Sequence, residues 1–282
     1  MLDTAPPQPP ADLERQVRAA LEEDVGAGDV TASLIPAARE ASAELVCREE
    51  AVLAGRPWFD RVFALLDPAV RITWHYADGD LVEAGSTVCE LHGPARAIVT
   101  GERTALNFLQ TLSGTATTTR RYASALGTAV TRILDTRKTL PGLRSAQKYA
   151  VRCGGGLNHR MGLYDAVLIK ENHIAAAGSI VAAIAAVRAA HPALPVECEV
   201  ESLDELDQAI AAGADMVLLD NFGDADLAVA VKRARGRLKT EISGGVELDQ
   251  LAALGRIGAD FISVGALTKH VRATDFSLRM HD

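Results

Sequence analysis

From about residue 129 onward the chain alternates short apolar runs with Ala-rich stretches of helical spacing. The runs are AVTRIL at 129, DAVLI at 165, PVECEV at 195, DMVLL at 215, KTEI at 239 and DFISV at 260. Short strands alternating with amphipathic helices predict parallel βα units. One intervening helix, SLDELDQAIAAG, carries a capping box in Ser202 and Glu205 and a C-terminal stop in Gly213. The spacing suits a (β/α) barrel and an open doubly wound sheet alike.

The first half has another rhythm. In ADLERQVRAALEEDVG, Leu13, Val17 and Leu21 share a helical face, with Gly26 and Gly28 as stop signals. Residues 42–99 alternate as short strands around one helix near PWFDRVFALLD, which Pro57 opens and Asp67-Pro68 ends. An α+β domain is the expectation there. Ala and Thr at 116–119 pack a helix. The segment from Asp78 to Arg103 is similar to the small β-module of biotinyl and lipoyl carriers, yet no lysine precedes Lys138 to take a prosthetic group.

The polar residues at the end of each apolar run say more than the runs themselves. In chain order come Arg137 and Lys138, Lys170, Glu199 and Glu201, Asp220, Ser243 with Gly244 and Gly245, and Gly265. In a barrel such positions converge on the C-terminal mouth, where this architecture does chemistry. Strand ends are often polar, but cations, carboxylates and glycines sorted in succession point to a site.

Charge sharpens that reading. The chain has 29 Lys and Arg against 37 Asp and Glu, a net charge of −8. Yet from Arg137 to Lys170 the only acid is Asp165, amid Lys138, Arg144, Lys148, Arg152 and Arg160. A local cationic cleft in an acidic protein focuses small anions, whereas nucleic-acid binding asks for a broad basic face. Arg137, Arg160 and Lys170, helped by His159, suit a dicarboxylate through bidentate pairing. Arg144 and Arg152 read as surface residues. Glu199 and Asp220 suit Mg²⁺ shared with substrate phosphates, or ion pairs with Lys138 or Lys170. The turns Ser243-Gly244-Gly245 and Ser263-Val264-Gly265 suit a phosphate held by backbone N–H groups.

Composition adds boundaries. A hydrophobic share of 48% is ample for a core. MLDTAPPQPP reads as a loose tail and not as a signal peptide. No apolar stretch is long enough to span a membrane. Cys47, Cys89, Cys153 and Cys198 form no CxxC pair, which argues for reduced thiols in a cytoplasmic protein and against a zinc site or disulfide scaffold.

The strings EEDVGAGDVT, GERTALNFLQTLSGTAT, DTRKTLPGLR, CGGGLNHRMGLYD, IKENHI, ECEVES, LLDNF, SGG and ISVGALTKH stand in the order of the quinolinate phosphoribosyltransferase family, which the chain resembles from about residue 12 to its C-terminus. The resemblance implies transfer of phosphoribose from phosphoribosyl pyrophosphate to quinolinate with decarboxylation, using Mg²⁺, in NAD biosynthesis. It implies a tail at 1–11, an α/β sandwich domain at 12–114 completed by about 271–282, and an incomplete TIM-like (β/α) barrel at 115–270. It implies Arg137, His159, Arg160 and Lys170 at quinolinate, Lys138, Glu199, Asp220 and both glycine turns at the donor and its magnesium, and Thr136 among the substrate-binding residues. It implies Lys138, Lys170, Glu199 and Asp220 as the catalytic set. A homodimer or larger assembly is also implied, with Arg103 reaching the neighbouring subunit's site, and no nucleic-acid or membrane partner.

Three other readings stay open at this level. A relative of the same fold, such as the homologues associated with molybdenum transport, could use another acceptor. A barrel lyase could use Lys170 as a Schiff-base amine. A carrier module could be built on residues 77–103.

Overall fold

A computed structural model describes residues 7–281. The first six residues of the proline-rich tail therefore lie outside the described residues. The chain divides into two compact units: residues 1–120, 139–155 and 266–282 in one, 121–138 and 156–265 in the other.

In the first unit, α1 (Leu13–Val25) precedes β1 (Glu40–Cys47), β2 (Ala51–Val52), α2 (Arg56–Leu66), β3 (Arg71–Trp74), β4 (Leu81–Val82) and β5 (Thr87–Pro94). The long α3 (Ala95–Ala125), which belongs to this unit as far as Arg120, and α4 (Arg144–Cys153) follow, and β12 (Phe276–His281) returns from the C-terminus. The main sheet has the order β12-β1-β5-β3, and β12 lies antiparallel to β1, with Leu45 opposite Leu278. Trp58, Phe59, Phe63, Leu45, Leu91, Leu109 and Leu112 are fully buried in this core. Each such side chain contributes about 1.5–3 kcal/mol on burial. Asp78 caps α2 by accepting Gly55 N at 3.0 Å and Arg56 N at 3.2 Å. Asp67, extended before Pro68, ends it.

The second unit carries β6 (Arg132–Leu134), β7 (Val167–Ile169), β8 (Val196–Val200), β9 (Met216–Leu219), β10 (Lys239–Ile242) and β11 (Phe261–Ser263). Each of the six apolar runs is thus a strand. They pair in parallel in the order β6-β11-β10-β9-β8-β7. The order is cyclic, since the first strand lies beside the last. On its other side β6 makes only the isolated bridge Leu134 to Leu157, so the described strands form a barrel left open between residue 157 and β7. The helices α5 (Glu171–Ala177), α6 (Ile180–Ala190), α7 (Leu203–Ala211), α8 (Asp224–Ala234) and α9 (Leu251–Ile257) fall between these strands. At α7, Ser202 Oγ accepts Glu205 N at 3.2 Å, while the Glu205 carboxylate takes Glu201 N at 2.7 Å.

Candidate active site

Two loops of the second unit are tied together at the end of β6. Asp135 is fully buried, and its carboxylate accepts Asn158 Nδ2 at 2.6 Å and His159 N at 2.9 Å. These bonds bring Arg137 and the His159-Arg160 pair to one place although 22 residues separate His159 from Arg137 in sequence. Asp165 closes the following turn by accepting Met161 N at 2.6 Å and Gly162 N at 2.8 Å. Arg160 Nη1 donates to Ala166 O at 3.2 Å.

Burial and the charge of neighbouring Arg137 push the Arg160 pKa down. The two guanidinium groups therefore stand close enough to repel. Arg137 Nε is buried with no hydrogen-bond partner among the described residues. An anion with two oxygens would relieve both conditions at once.

His159 is engaged at both ring nitrogens. Nδ1 accepts Arg160 N at 2.7 Å, and Nε2 lies 2.8 Å from Glu197 Oε2 and 3.4 Å from Glu241 Oε2. Burial lowers the imidazole pKa and the contacts with Glu197 and Glu241 raise it, but the Arg160 N–H donated to Nδ1 leaves that nitrogen no room for a second proton. Burial and the charge of Glu241 in turn hold the Glu197 carboxyl above its ordinary range, against the pull of His159. Glu197 and Glu241 are 4% and 1% exposed. With His159 they are the one group of three metal-type ligands found within mutual reach among the described residues. Neither glutamate stands out in the sequence; the available signal is an acid at an inward position of a strand whose neighbours are apolar.

Lys170 follows β7, and its Nζ is bonded to the Glu199 carboxylate on β8. An ion-paired ammonium is a poor nucleophile, which removes support for the Schiff-base reading. Asp220 follows β9; its Oδ2 accepts Asn221 Nδ2 at 3.1 Å, and Asn221 takes a left-handed φ of 57°. A cavity of ≈ 350 Å³ opens beside it, lined by Asn221, Phe222, Gly223, Ser243 and Gly244. Gly244 and Gly245 adopt φ of 106° and 57°, values that favour glycine. The backbone N–H groups of Gly244, Gly245 and Gly265 make no hydrogen bond among the described residues. At Gly265 a Cβ would come within 3.0 Å of Lys138 Cδ and 3.7 Å of Thr136 Oγ1. Val264 N, by contrast, is used by Leu134 O, and Ser263 is buried in β11.

Thr136, Arg137, Lys138, His159, Arg160, Lys170, Glu199, Asp220, Ser243–Gly245 and Ser263–Gly265 all belong to the second unit, most at or just beyond its strand ends and His159 and Arg160 in the loop after the Leu157 bridge. Glu201 is exposed. Arg144, Lys148 and Arg152 lie on α4 and Arg103 on α3, in the first unit, and Arg103 is exposed. Residues 95–103, the end of the carrier-like segment, are helical.

A family model described as quinolinate phosphoribosyl transferase, C-terminal domain, matches residues 115–279, and the corresponding N-terminal domain matches 29–113. A probable carboxylating nicotinate-nucleotide pyrophosphorylase of Bacillus subtilis is 45% identical over 257 residues, covering 91% of this chain and 89% of the relative. The carboxylating nicotinate-nucleotide pyrophosphorylase of Mycobacterium leprae is 43% identical, with 93% and 95% covered. The solved nicotinate-nucleotide pyrophosphorylase of Francisella tularensis superimposes with a TM-score of 0.94 at 48% identity, covering 97% of this chain and 98% of that one.

Proposed function

The chain belongs to the quinolinate phosphoribosyl transferase family, and from that premise we infer that it is the carboxylating nicotinate-nucleotide pyrophosphorylase of NAD biosynthesis. It transfers the phosphoribosyl group of phosphoribosyl pyrophosphate to quinolinate and yields nicotinate mononucleotide, CO₂ and pyrophosphate. The observation that carries this reading is the buried, unpartnered Nε of Arg137 at the mouth of an acidic protein's parallel sheet, where the charge of Arg137 also acts on Arg160.

Arg137 and Arg160, supported by Thr136 and His159 and joined by Lys170, take the two carboxylates of quinolinate and turn its ring nitrogen toward the ribose. Each charge-assisted hydrogen bond is worth roughly 1.5–3 kcal/mol. The open amides of Gly244, Gly245 and Gly265, in the turns opened by Ser243 and by Ser263-Val264, hold donor phosphate oxygens. Lys138, beside Gly265, faces the departing pyrophosphate. Glu199 and Asp220 each keep a carboxylate oxygen open, and one or two carboxylates with substrate phosphates and water are what Mg²⁺ takes. Mg²⁺ held there supplies charge to the leaving group.

As the bond from ribose C1 to pyrophosphate breaks, C1 gains oxocarbenium character and the pyridine nitrogen attacks it. The alkylated ring is then an electron sink beside the 2-carboxylate, and loss of CO₂ results from the intermediate's own electronics. The protein contributes positioning and electrostatics and needs no general base.

Exposed Arg103 has no hydrogen-bond or ion partner among the described residues, which supports its donation to a neighbouring subunit's site in a homodimer. Mixed dimers of Arg103→Ala and Arg137→Ala would regain activity that neither variant shows alone. Four buried, unpaired cysteines suit the reducing cytoplasm.

Acceptor profiling tests the reading. Quinolinate should be favoured over pyridine-3-carboxylate by at least about a hundredfold in kcat/KM, two charge-assisted bonds being at stake. Equal turnover of the monocarboxylate would move the protein to another acceptor.

A further inference from the structure

Two carboxylates inside the parallel sheet of the second unit have no place in the chemistry described above. Glu197 lies on β8 and Glu241 on β10, with β9 between them. Buried acids are unfavourable unless they are paired, and apolar residues of similar volume usually serve stability as well or better. Here the compensation is incomplete: Glu197 Oε1 and Glu241 Oε2 have no hydrogen-bond partner among the described residues. Their shared contact is one ring, that of His159.

That ring does not end the chain of contacts. His159 Nδ1 accepts the backbone N–H of Arg160, while the His159 N–H is held by Asp135. Glu197 and Glu241 thus fix the ring from inside the sheet, and the ring fixes the peptide that carries the Arg160 guanidinium. Arg160 needs such a restraint because the charge of Arg137, on the loop that Asp135 ties to it, repels it.

We propose that Glu197 and Glu241 are positioning residues for the acceptor: through His159 they hold Arg160 beside Arg137, so that the pair is set for a dicarboxylate before it arrives. This rests on the assignment of Arg160 to quinolinate. His159 then acts chiefly through Arg160, since both of its nitrogens are occupied within the protein. A donor held by Asp220 and the glycine turns does not depend on this chain of contacts.

The test is a mutant cycle read by direct binding. Glu197→Gln and Glu241→Gln should each weaken quinolinate binding, measured by titration calorimetry, by on the order of ten- to a hundredfold, as loss of an outer-shell partner or a misplacement near 1 Å does. Affinity for phosphoribosyl pyrophosphate should change less than about twofold, a split that general loosening of the fold would not give. In a His159→Asn background, either Gln substitution should add little, because the three act as one unit. Unchanged quinolinate affinity in the Gln variants, or full additivity with His159→Asn, would overturn the proposal. Stoichiometric metal in the purified wild-type protein, lost in both Gln variants, would also overturn it by making the cluster a metal site.

Arg160→Ala separates the two levels. If it leaves quinolinate affinity intact, the acceptor assignment fails; if it abolishes binding while the Gln variants bind normally, only the positioning role fails. Should the Gln variants not fold, ¹⁵N-histidine spectra of the wild-type protein decide. A His159 ring fixed with its hydrogen on Nε2 agrees with the proposal, and a ring averaging between tautomers contradicts it.

Discussion

Lys170 Nζ, just beyond β7, is bonded to the carboxylate of Glu199 on the neighbouring β8. The proposed site needs these charges for different substrates, Lys170 for a carboxylate of quinolinate and Glu199 for the metal of the donor. Glu199 therefore neutralises Lys170 and also competes for it.

Glu199→Gln should lower kcat/KM for phosphoribosyl pyrophosphate by at least about tenfold, a loss of roughly 1.4 kcal/mol of transition-state stabilisation. It should also raise the Mg²⁺ concentration needed for half-maximal rate. Quinolinate KM should stay level or fall, since Lys170 is released. Steady-state kinetics over a magnesium series reads all three.

Gly265→Ala adds a Cβ 3.0 Å from Lys138 Cδ, the stem of a flexible side chain. The fold should absorb this with little change in melting temperature, whereas kcat should fall by about tenfold through displacement of the Lys138 ammonium. Parallel thermal melts and initial rates separate the two effects.

Gly114→Ala behaves in the opposite way. A Cβ there would meet the Arg272 carbonyl oxygen at 2.1 Å, and backbone cannot give way as a lysine stem does. In an open helix Gly→Ala would gain about 1 kcal/mol. In α3 it should destabilise the protein by about 1–3 kcal/mol net, lowering the melting temperature by several degrees.

Much of the second unit was legible because a parallel strand buried on both faces leaves an apolar run, with its first polar residue after it. Lys170, Asp220 and Ser243 stand at those positions. Glu197 and Glu241 were not legible: within PVECEV and KTEI they look like the polar half of an alternating strand, and only the three-dimensional pairing shows both facing His159. Arg144, Lys148 and Arg152 swell the basic stretch but lie on α4, which belongs to the first unit.

Helix α3 was obscured by its own composition. Threonines and two glycines within GERTALNFLQTLSGTAT weaken its helical pattern, and the glycines answer to packing instead. A Cβ at Gly101 would meet Phe63 at 2.6 Å. The return of β12 to β1 likewise has no local signal, since it joins residues at opposite ends of the chain.

The most direct measurement is release of CO₂ from quinolinate labelled at the 2-carboxylate, by the purified protein with Mg²⁺, with and without phosphoribosyl pyrophosphate. Release that depends on the donor, with nicotinate mononucleotide formed in equal amount, is the predicted result. Release without the donor, or none from the folded protein with both substrates present, would contradict it.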